Sequence, residues 1–356
     1  MSALKRLQEK FETLDADAIL VSSELNCRYL SDFVFSDGYL LIEREYAFLI
    51  TDSRYVEAAK NTVENFEILC PKSSRISAIS ELVSARNIKV LAIEDEYMSV
   101  AEHKRFSDAL SCKLITGASA LIGELRRVKT PKELEKIAAA QKITDAAFEH
   151  ILSFISPDIT ERDVALELEF FMRKMGADGL AFDTIAVSGT SSSLPHGVPS
   201  DLKLRRGFLT MDFGAKFDGY CSDMTRTVCI GKADSEMKKV YDTVLSAQHY
   251  ALENICEGML CRDADALARD VIKNAGYGEA FGHSLGHGVG LYIHEAPSLS
   301  QFASGDSRLE RGHVVTVEPG IYLERKFGVR IEDMIAIDHD GSVLNFTKSP
   351  KHLIEL

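Results

Sequence analysis

The chain has 356 residues, of which 46% are hydrophobic and 27% charged, which is ordinary for a globular protein of about two domains. The formal net charge of −13 argues against nucleic acid and against an anionic membrane surface as partners. No stretch is long and apolar enough to span a bilayer, and the charged, amphipathic N-terminus is unlike a signal peptide. Seven cysteines without metal-binding spacing indicate reduced thiols and predict a cytoplasmic protein.

Residues 1–122 alternate helical and strand patterns, which predicts an α/β domain. The expected helices extend over residues 4–14, 54–61 and 76–85. The expected strands extend over residues 18–21, 39–42, 46–51, 66–69 and 90–93.

The second predicted domain, residues 123–356, begins with a helix-start signal in Thr130-Pro131-Lys132-Glu133, which offers an N-cap, a proline and an acidic third residue. A similar signal opens at Thr160. The expected helices of this domain extend over residues 130–155, 160–176, 234–256 and 262–275. Strand-like segments punctuated by glycine lie between and after these helices, and they carry all the candidate functional residues.

Two acidic residues are expected to face each other in a hairpin formed by strands over 208–213 and 220–229. An Asp-Gly turn signal at 216–219 joins these strands and places Asp212 nearly opposite Asp223. Two such carboxylates repel each other and raise each other's pKa unless a cation lies between them.

The same arrangement recurs near the end of the chain, where predicted strands over 314–322 and 329–337 flank a second turn. This hairpin places Glu318 nearly opposite Glu332. The repetition of a strand pair with two facing acids indicates internal two-fold pseudo-symmetry.

His287 lies in the glycine-rich stretch 286–290, where a regular helix is disfavoured, and it completes a set of five candidate metal ligands. Any one of these residues alone would more often be an ordinary surface or core residue, so the prediction depends on the set. Two divalent ions would balance its four carboxylates, and oxygen ligands with one imidazole suit Mn²⁺, Co²⁺, Zn²⁺ or Fe²⁺. The candidate ligands are Asp212, Asp223, His287, Glu318 and Glu332.

Three further histidines accompany the candidate ligands. His196 lies in the loop sequence Leu-Pro-His-Gly-Val-Pro, while His283 and His294 flank the ligand histidine. An imidazole beside bound metal can bind a substrate carbonyl, stabilise an oxyanion or protonate a leaving amine. Arg330 precedes Glu332 by two residues and is predicted to hold that carboxylate in place.

Residues from about 125 to 356 resemble the pita-bread metallopeptidases, the family of methionine aminopeptidase, aminopeptidase P and prolidase. The matching strings are FDTIAVSG, LPHGVPSD, MDFGAKFDGYCSDMTRTV, GHGVGLYIHE, VEPGIY and VRIEDM, which are most similar to the proline-specific branch. The resemblance implies two divalent metal ions, best suited by Mn²⁺ or Co²⁺, and a hydroxide between them that attacks the peptide bond before proline. The residues it implies as catalytic are His196, His283, His294 and Glu318, the last as proton shuttle and metal ligand.

The N-terminal part resembles the creatinase-like domain of the same family through Asn26–Ser31 and the sequence Ser36-Asp37-Gly38. Asp32 and Phe35 stand where relatives commonly have glycine, so a differently shaped loop is expected. The resemblance implies an α/β (α+β) protein with a creatinase-like domain, a pseudo-symmetric pita-bread domain and a homodimeric assembly.

The expected activity is that of an Xaa-Pro aminopeptidase acting on peptides with proline at the second position. Prolidase, an Xaa-Pro dipeptidase, is the alternative; the stretch from Glu295 to Ser298 lacks the arginine that some prolidases carry there, which favours the aminopeptidase. More distant alternatives are a methionine-directed aminopeptidase, a creatinase-like amidinohydrolase and a non-peptidase binding protein of the same fold. The complete ligand set argues against the last two.

Overall fold

The computed structural model describes all 356 residues as a mixed α/β protein with two compact units, Met1–Arg126 and Arg127–Leu356. The mixed class expected from the sequence is confirmed. The predicted domain boundary between residues 122 and 123 falls inside a helix, Ala118–Arg127, shortly before the point where the two units divide. No helix combines the length and the apolar composition that crossing a membrane would require.

The first unit is built on a six-stranded sheet with the order β4-β3-β2-β1-β5-β6, in which β1, β5 and β6 are parallel. Its strands are β1 (Ala18–Val21), β2 (Tyr39–Glu43), β3 (Ala47–Ile50), β4 (Glu67–Leu69), β5 (Val90–Ile93) and β6 (Lys113–Ile115). Its helices are α1 (Ala3–Glu9), α2 (Glu24–Ser31), α3 (Val56–Thr62), α4 (Arg75–Ala85), α5 (Val100–Ala109) and α6 (Ala118–Arg127).

The five predicted strands of this unit are confirmed, because each is a short, largely apolar run bounded by polar turn residues. The helix expected over 4–14 is wrong in length, since α1 ends at Glu9 and a separate 3-10 turn follows at Phe11–Thr13. After α2, Asp32 adopts φ 52°, the left-handed conformation that glycine supplies more easily. Phe35 is buried, and its ring occupies the space that a Cβ on Gly38 would need.

The second unit contains four long helices, and the four predictions for them are confirmed. They are α7 (Pro131–Phe154), α8 (Glu161–Lys174), α9 (Ser235–Asn254) and α10 (Cys261–Asn274). Thr130 and Glu133 form the expected capping box at the start of α7, and Thr160 forms one with Asp163 at α8. Such caps contribute about 1 kcal/mol each by satisfying the free N–H groups of the first turn.

Thirteen strands of the second unit form four small sheets. The strands are β7 (Gly179–Leu180), β8 (Ile185–Ser188), β9 (Gly207–Phe213), β10 (Ala215–Phe217), β11 (Tyr220–Cys221), β12 (Met224–Ile230), β13 (Gly286–Gly288), β14 (Glu295–Leu299), β15 (Val314–Val317), β16 (Gly320–Leu323), β17 (Phe327–Arg330), β18 (Asp333–Ile337) and β19 (Val343–Asn345). The sheet β12-β9-β8 follows the helix pair α7 and α8, and the sheet β14-β13-β15-β18-β19 follows α9 and α10. This repeat of two helices followed by a sheet is the pseudo-symmetry that the sequence indicated.

Each helix pair lays an apolar face on the sheets. Val240, Val244, Ala247 and Ala251 recur at helical spacing along α9 and are buried with the apolar residues of β15 and β18. A second cluster packs α7 and α8 against β9 and β12. The buried faces fix the sheets, and the sheets present the candidate site residues to one pocket.

Candidate metal centre

A single pocket of about 450 Å³ in the second unit is lined by all the residues that the sequence singled out for ligation or catalysis. These residues are His196, Asp212, Asp223, His283, His287, His294, Glu318 and Glu332. The chain brings them together from loops and strand ends that are separated by more than a hundred positions, so the pocket is a product of the sheet packing.

The first acidic pair lies on the connected strands β9 to β12. The predicted Asp-Gly turn is confirmed, because Phe217 pairs with Tyr220 and the two residues between them, Asp218 and Gly219, both have positive φ. The predicted register is wrong by two residues, since the residue opposite Asp212 is Thr225. Asp212 and Asp223 are therefore diagonal neighbours of the ladder rather than directly opposed.

The second pair follows the expected register. Val317 pairs with Asp333 and Gly320 with Arg330, so the same register sets Glu318 opposite Glu332 where the chain passes between the two sheets. Backbone bonds hold both positions: the Glu318 N–H donates to the Leu285 carbonyl, and the Glu332 N–H donates to the Thr225 carbonyl. The latter bond connects the second acidic pair to the first.

His287 is brought into the pocket by the short strand β13. A Cβ at Gly286 would collide with the Thr316 carbonyl, so only glycine permits this close approach. The His287 Nδ1–H donates to its neighbour's carbonyl at 3.1 Å, which leaves the Nε2 lone pair directed into the pocket. Nε2 lies 3.5 Å from Asp223 Oδ2 and 3.4 Å from Glu318 Oε1.

The pKa values of the pocket residues are shifted because several carboxylates are buried close together. Burial raises the pKa of Asp223 well above its usual range, and the charges of Glu332 and Asp212 add to the effect. Burial, followed by Glu318 and Asp212, does the same to the pKa of Glu332. Burial raises the pKa of Glu318 to about 8 and lowers the pKa of His287 to about 4. These acids repel each other, while the imidazole stays neutral with a lone pair to donate.

These features fit a metal ion. One donor atom each from Asp223, His287 and Glu332 lies within 4.8 Å of the others, a separation that one cation can bridge. Asp212 Oδ1 is buried and has no hydrogen-bond partner, although buried carboxylate oxygens are normally paired. A cation would supply the missing partner and offset the repulsion among the acids.

Arg330 has a different contact from the one expected. Its Nη2 donates to Asp212 Oδ2 at 2.7 Å, and its Nε donates to Thr225 Oγ1 at 2.9 Å. The Thr225 hydroxyl in turn donates to Glu332 Oε2 at 2.7 Å, so Arg330 reaches that carboxylate only through the threonine. The predicted support of Glu332 by Arg330 is therefore indirect, because the strand breaks between the two residues and the alternation of faces does not continue across the break.

Tyr322 contacts two residues that line the pocket, and the sequence analysis does not identify it. Its hydroxyl accepts from Arg330 Nη1 at 2.7 Å and contacts His283 Nε2 at 2.9 Å. Because the His283 Nδ1–H donates to the Ser284 carbonyl, Nε2 is the acceptor for the tyrosine hydroxyl. The only sequence signal for this contact was that Tyr322 lies eight residues before Arg330, on the strand that pairs with the strand of Arg330.

The other two histidines occupy different surroundings. The His294 ring lies edge-on to the His287 ring, with centroids 4.4 Å apart, and burial lowers the pKa of His294. His196 lines the same pocket from an exposed loop. An imidazole at either place can donate a hydrogen bond to a carbonyl oxygen.

Comparisons with known proteins cover nearly the whole chain. Residues 135–339 match the family model described as Metallopeptidase family M24, and residues 4–128 match that of the Creatinase/Prolidase N-terminal domain. A Pyrococcus furiosus protein named Xaa-Pro dipeptidase is 36% identical over 353 residues, 99% of each chain. A solved structure of an Xaa-Pro dipeptidase from Bacillus anthracis is 44% identical, with a TM-score of 0.96 and 99% of each chain covered. One of an X-Pro aminopeptidase from Thermotoga maritima is 39% identical, with a TM-score of 0.91 over 98% of this chain and 100% of that one.

Proposed function

This chain belongs to metallopeptidase family M24, in its proline-specific pita-bread branch, and on that premise we propose that it is an Xaa-Pro dipeptidase. The observation that carries the proposal is end-to-end similarity to two proteins named Xaa-Pro dipeptidase, one of them at 44% identity. The pocket of about 450 Å³ adds support, because it lies at the small end of the range of about 300–1,000 Å³ for ligand pockets.

The aminopeptidase activity expected from the sequence has weaker support. That expectation depended on Ser298, which lines the pocket but carries no charge to distinguish a dipeptide from a longer peptide. An X-Pro aminopeptidase is among the similar structures, at 39% identity. The aminopeptidase therefore stays as the second candidate.

The metal ligands in this proposal are the five residues predicted from the sequence. Two divalent ions would balance the four negative charges of their carboxylates. Bound there, the ions would supply Lewis acidity, which polarises a carbonyl and lowers the pKa of water. Mn²⁺ and Co²⁺ suit this oxygen-rich donor set, with Zn²⁺ or Fe²⁺ as further options. The proposed ligands are Asp212, Asp223, His287, Glu318 and Glu332.

The proposed roles of the other residues follow from their places in the pocket. Neutral His294 donates a hydrogen bond to the oxygen of the scissile carbonyl, where negative charge develops. Glu318, whose Oε1 accepts a hydrogen bond from the Thr316 hydroxyl at 3.1 Å, accepts a proton from the attacking water and delivers it to the prolyl nitrogen. His283 and His196 bind the substrate's polar groups at the pocket wall.

The decisive experiment compares an Xaa-Pro dipeptide with an Xaa-Pro-Yaa tripeptide. The protein is stripped with a chelator, reloaded with Mn²⁺ or Co²⁺ and assayed on both peptides. Dipeptide cleavage alone is the expected result, and tripeptide cleavage alone would replace the proposal by the aminopeptidase. Silence on both peptides with metal bound would overturn the whole assignment.

Two further proposals concern the assembly and the cellular setting of the protein. We propose a homodimer, which sedimentation or light scattering would test. We also propose a reducing, cytoplasmic setting, supported by the fact that all seven cysteines are free thiols, four of them buried. Cell fractionation would test the second of these proposals.

A further inference from the structure

Two helices of the second unit hold equivalent places in its two halves. Helices α8 and α10 have the same length, and each is followed by a glycine with positive φ, Gly176 and Gly276. The first residue of each helix donates its N–H to a returning segment, Glu161 to the Leu202 carbonyl and Cys261 to the Ser307 carbonyl. The chain therefore builds the same local unit twice.

In the first half, a buried carboxylate on α8 closes a loop. Glu161 Oε1 accepts hydrogen bonds from the N–H and hydroxyl of Ser188, at 2.7 and 2.9 Å. Its Oε2 accepts from the N–H and hydroxyl of Ser200, at 3.2 and 2.7 Å. These two serines bound the segment 189–199, which carries His196.

In the second half, a buried carboxylate on α10 also holds a loop by accepting hydrogen bonds. Asp265 Oδ1 accepts from the Leu285 N–H at 2.9 Å, and both of its oxygens pair with Arg269, at 2.6 and 2.8 Å. Arg269 donates in turn to the carbonyls of Phe281, at 3.1 Å, and His283, at 2.7 Å. The backbone on either side of the His283 ring is thus tied to one carboxylate.

We propose that Glu161 and Asp265 are paired positioning residues for peptide hydrolysis, Glu161 acting through His196 and Asp265 acting through His283. The inference rests on the function proposed above, since it assumes that the two histidines contact the substrate. Neither carboxylate lines the pocket, and neither is among the proposed metal ligands.

The chemistry of the two anchors explains why a carboxylate stands at each place. An ionised carboxylate only accepts hydrogen bonds, and all the groups that face these two residues are donors. An amide of the same size would turn its NH₂ toward at least one donor and leave that contact unmade. The His196 ring is exposed and makes no hydrogen bond of its own, so its place depends on the closed backbone. The His283 ring also contacts Tyr322, which keeps its orientation partly fixed.

The test uses Glu161→Gln and Asp265→Asn in the full-length, metal-loaded enzyme, with an Xaa-Pro dipeptide as substrate. We expect kcat to fall about 10- to 100-fold in each variant, because a displacement of about 1 Å is enough for such a loss. Metal content should stay at the wild-type value. The matched controls are Glu167→Gln and Asp270→Asn, which should both keep wild-type kcat. Glu167 lies on α8, like Glu161, and pairs with His150 of α7, while Asp270 is exposed on α10.

Double variants separate positioning from general destabilisation. If Glu161 acts through His196, Glu161→Gln should cost nothing further in a His196→Ala background and should cost its full factor in a His283→Ala background. Asp265→Asn should show the opposite pairing. Equal losses in both backgrounds would overturn the inference, as would wild-type kcat in both single variants while the histidine variants are slow.

A separate outcome addresses the underlying function. If His196→Ala and His283→Ala keep wild-type kcat, the roles proposed for the histidines are wrong, and the positioning inference falls with them. Hydrogen–deuterium exchange of the metal-free protein gives a readout independent of activity: residues 188–200 should exchange faster in Glu161→Gln but not in Asp265→Asn. If Glu161→Gln does not fold, Ser200→Ala, which removes one of the four bonds, should reproduce the faster exchange in the same segment; unchanged exchange would count against the inference.

Discussion

The guanidinium of Arg330 donates a 2.7 Å hydrogen bond to Asp212 Oδ2, which leaves Asp212 Oδ1 as the buried oxygen without a partner. One oxygen of this carboxylate is thus oriented by the protein, and the other has no partner and is the one proposed to bind metal. A hydrogen bond of this kind, from a residue that does not itself touch the metal, fixes the direction of a ligand before metal binds.

Arg330→Lys should therefore weaken metal binding about 10- to 100-fold, because a lysine cannot contact Asp212, Thr225 and Tyr322 together. Isothermal titration of the chelated protein with Mn²⁺ measures the change. Arg325→Lys, in the exposed turn between β16 and β17, is the control and should bind metal like the wild type. Equal affinity in both variants would contradict the ligand-orienting role of Arg330.

Asp223→Asn should have opposite effects on stability with and without metal. In the chelated protein it replaces an acid whose ionised form is destabilised by burial and by the neighbouring carboxylates, so the melting temperature should rise. With Mn²⁺ present it removes a ligand, so the stabilisation by metal and the peptidase activity should both be lost. Thermal melts with chelator and with Mn²⁺ measure this; a lower melting temperature in chelator would contradict the account.

His294→Ala should keep the metal content and lose about 10²- to 10³-fold in kcat, because the ring lies next to the His287 ring but is assigned to the substrate oxygen. Metal analysis and steady-state kinetics on the same preparation check both parts. His352→Ala, on the exposed C-terminal segment, serves as control. Loss of metal in His294→Ala would demote the residue to a structural role.

The protein should become less stable in mild acid, because His313 is buried in its neutral form. Burial, with the charges of Lys129 and Arg127, lowers the pKa of His313 to about 4, whereas its unfolded value is 6.5. Between these values the unfolded state binds more protons, so stability is full above pH 6.5 and falls as the pH drops toward 4.

The variant that tests this is His313→Asn, which retains an acceptor for the Glu310 N–H. Between pH 7.5 and pH 5 its free energy of unfolding should fall by about 2 kcal/mol less than that of the wild type. Urea unfolding of the chelated proteins at the two pH values measures the difference. Parallel pH profiles for variant and wild type would refute the role of this histidine.

Arg226→Met should destabilise the protein by about 3–5 kcal/mol, because it removes one of the two cations that pair with the buried Asp333 carboxylate. Arg226 Nη2 donates to Asp333 Oδ1 at 2.8 Å, and both side chains are 1% exposed. Burial alone would raise the pKa of Asp333, but Arg226 and Lys351 hold it below its usual range. Adding Asp333→Asn should recover part of the loss in urea unfolding; no recovery would show that the arginine acts through its backbone contacts instead.

Local chemistry explains which elements were predictable. The capping boxes at Thr130 and Thr160 mark true helix starts, since a side chain that satisfies free N–H groups acts within a few residues. The turn at Asp218-Gly219 was predictable for the same reason, because positive φ at two successive residues favours this pair.

Strand register and cross-strand contacts were harder to predict from the sequence. The pairing of Asp212 with Thr225 depends on the whole ladder from β9 to β12, which the turn signal alone does not specify. The strand break at residues 331–332 turned Arg330 toward Asp212, and Tyr322 became visible only when its strand was paired.

The sequence by itself determined the chemistry of the centre: four carboxylates, their accompanying histidines and the glycines that let the backbone approach them are all readable as residue types at fixed spacings. Only the tertiary structure decided which oxygen of Asp212 is held by Arg330 and which has no partner, and how α8 and α10 close the loops around His196 and His283. The reason is physical. Residue type and short-range spacing are properties of the chain, whereas hydrogen bonds between residues a hundred positions apart exist only after the sheets have packed.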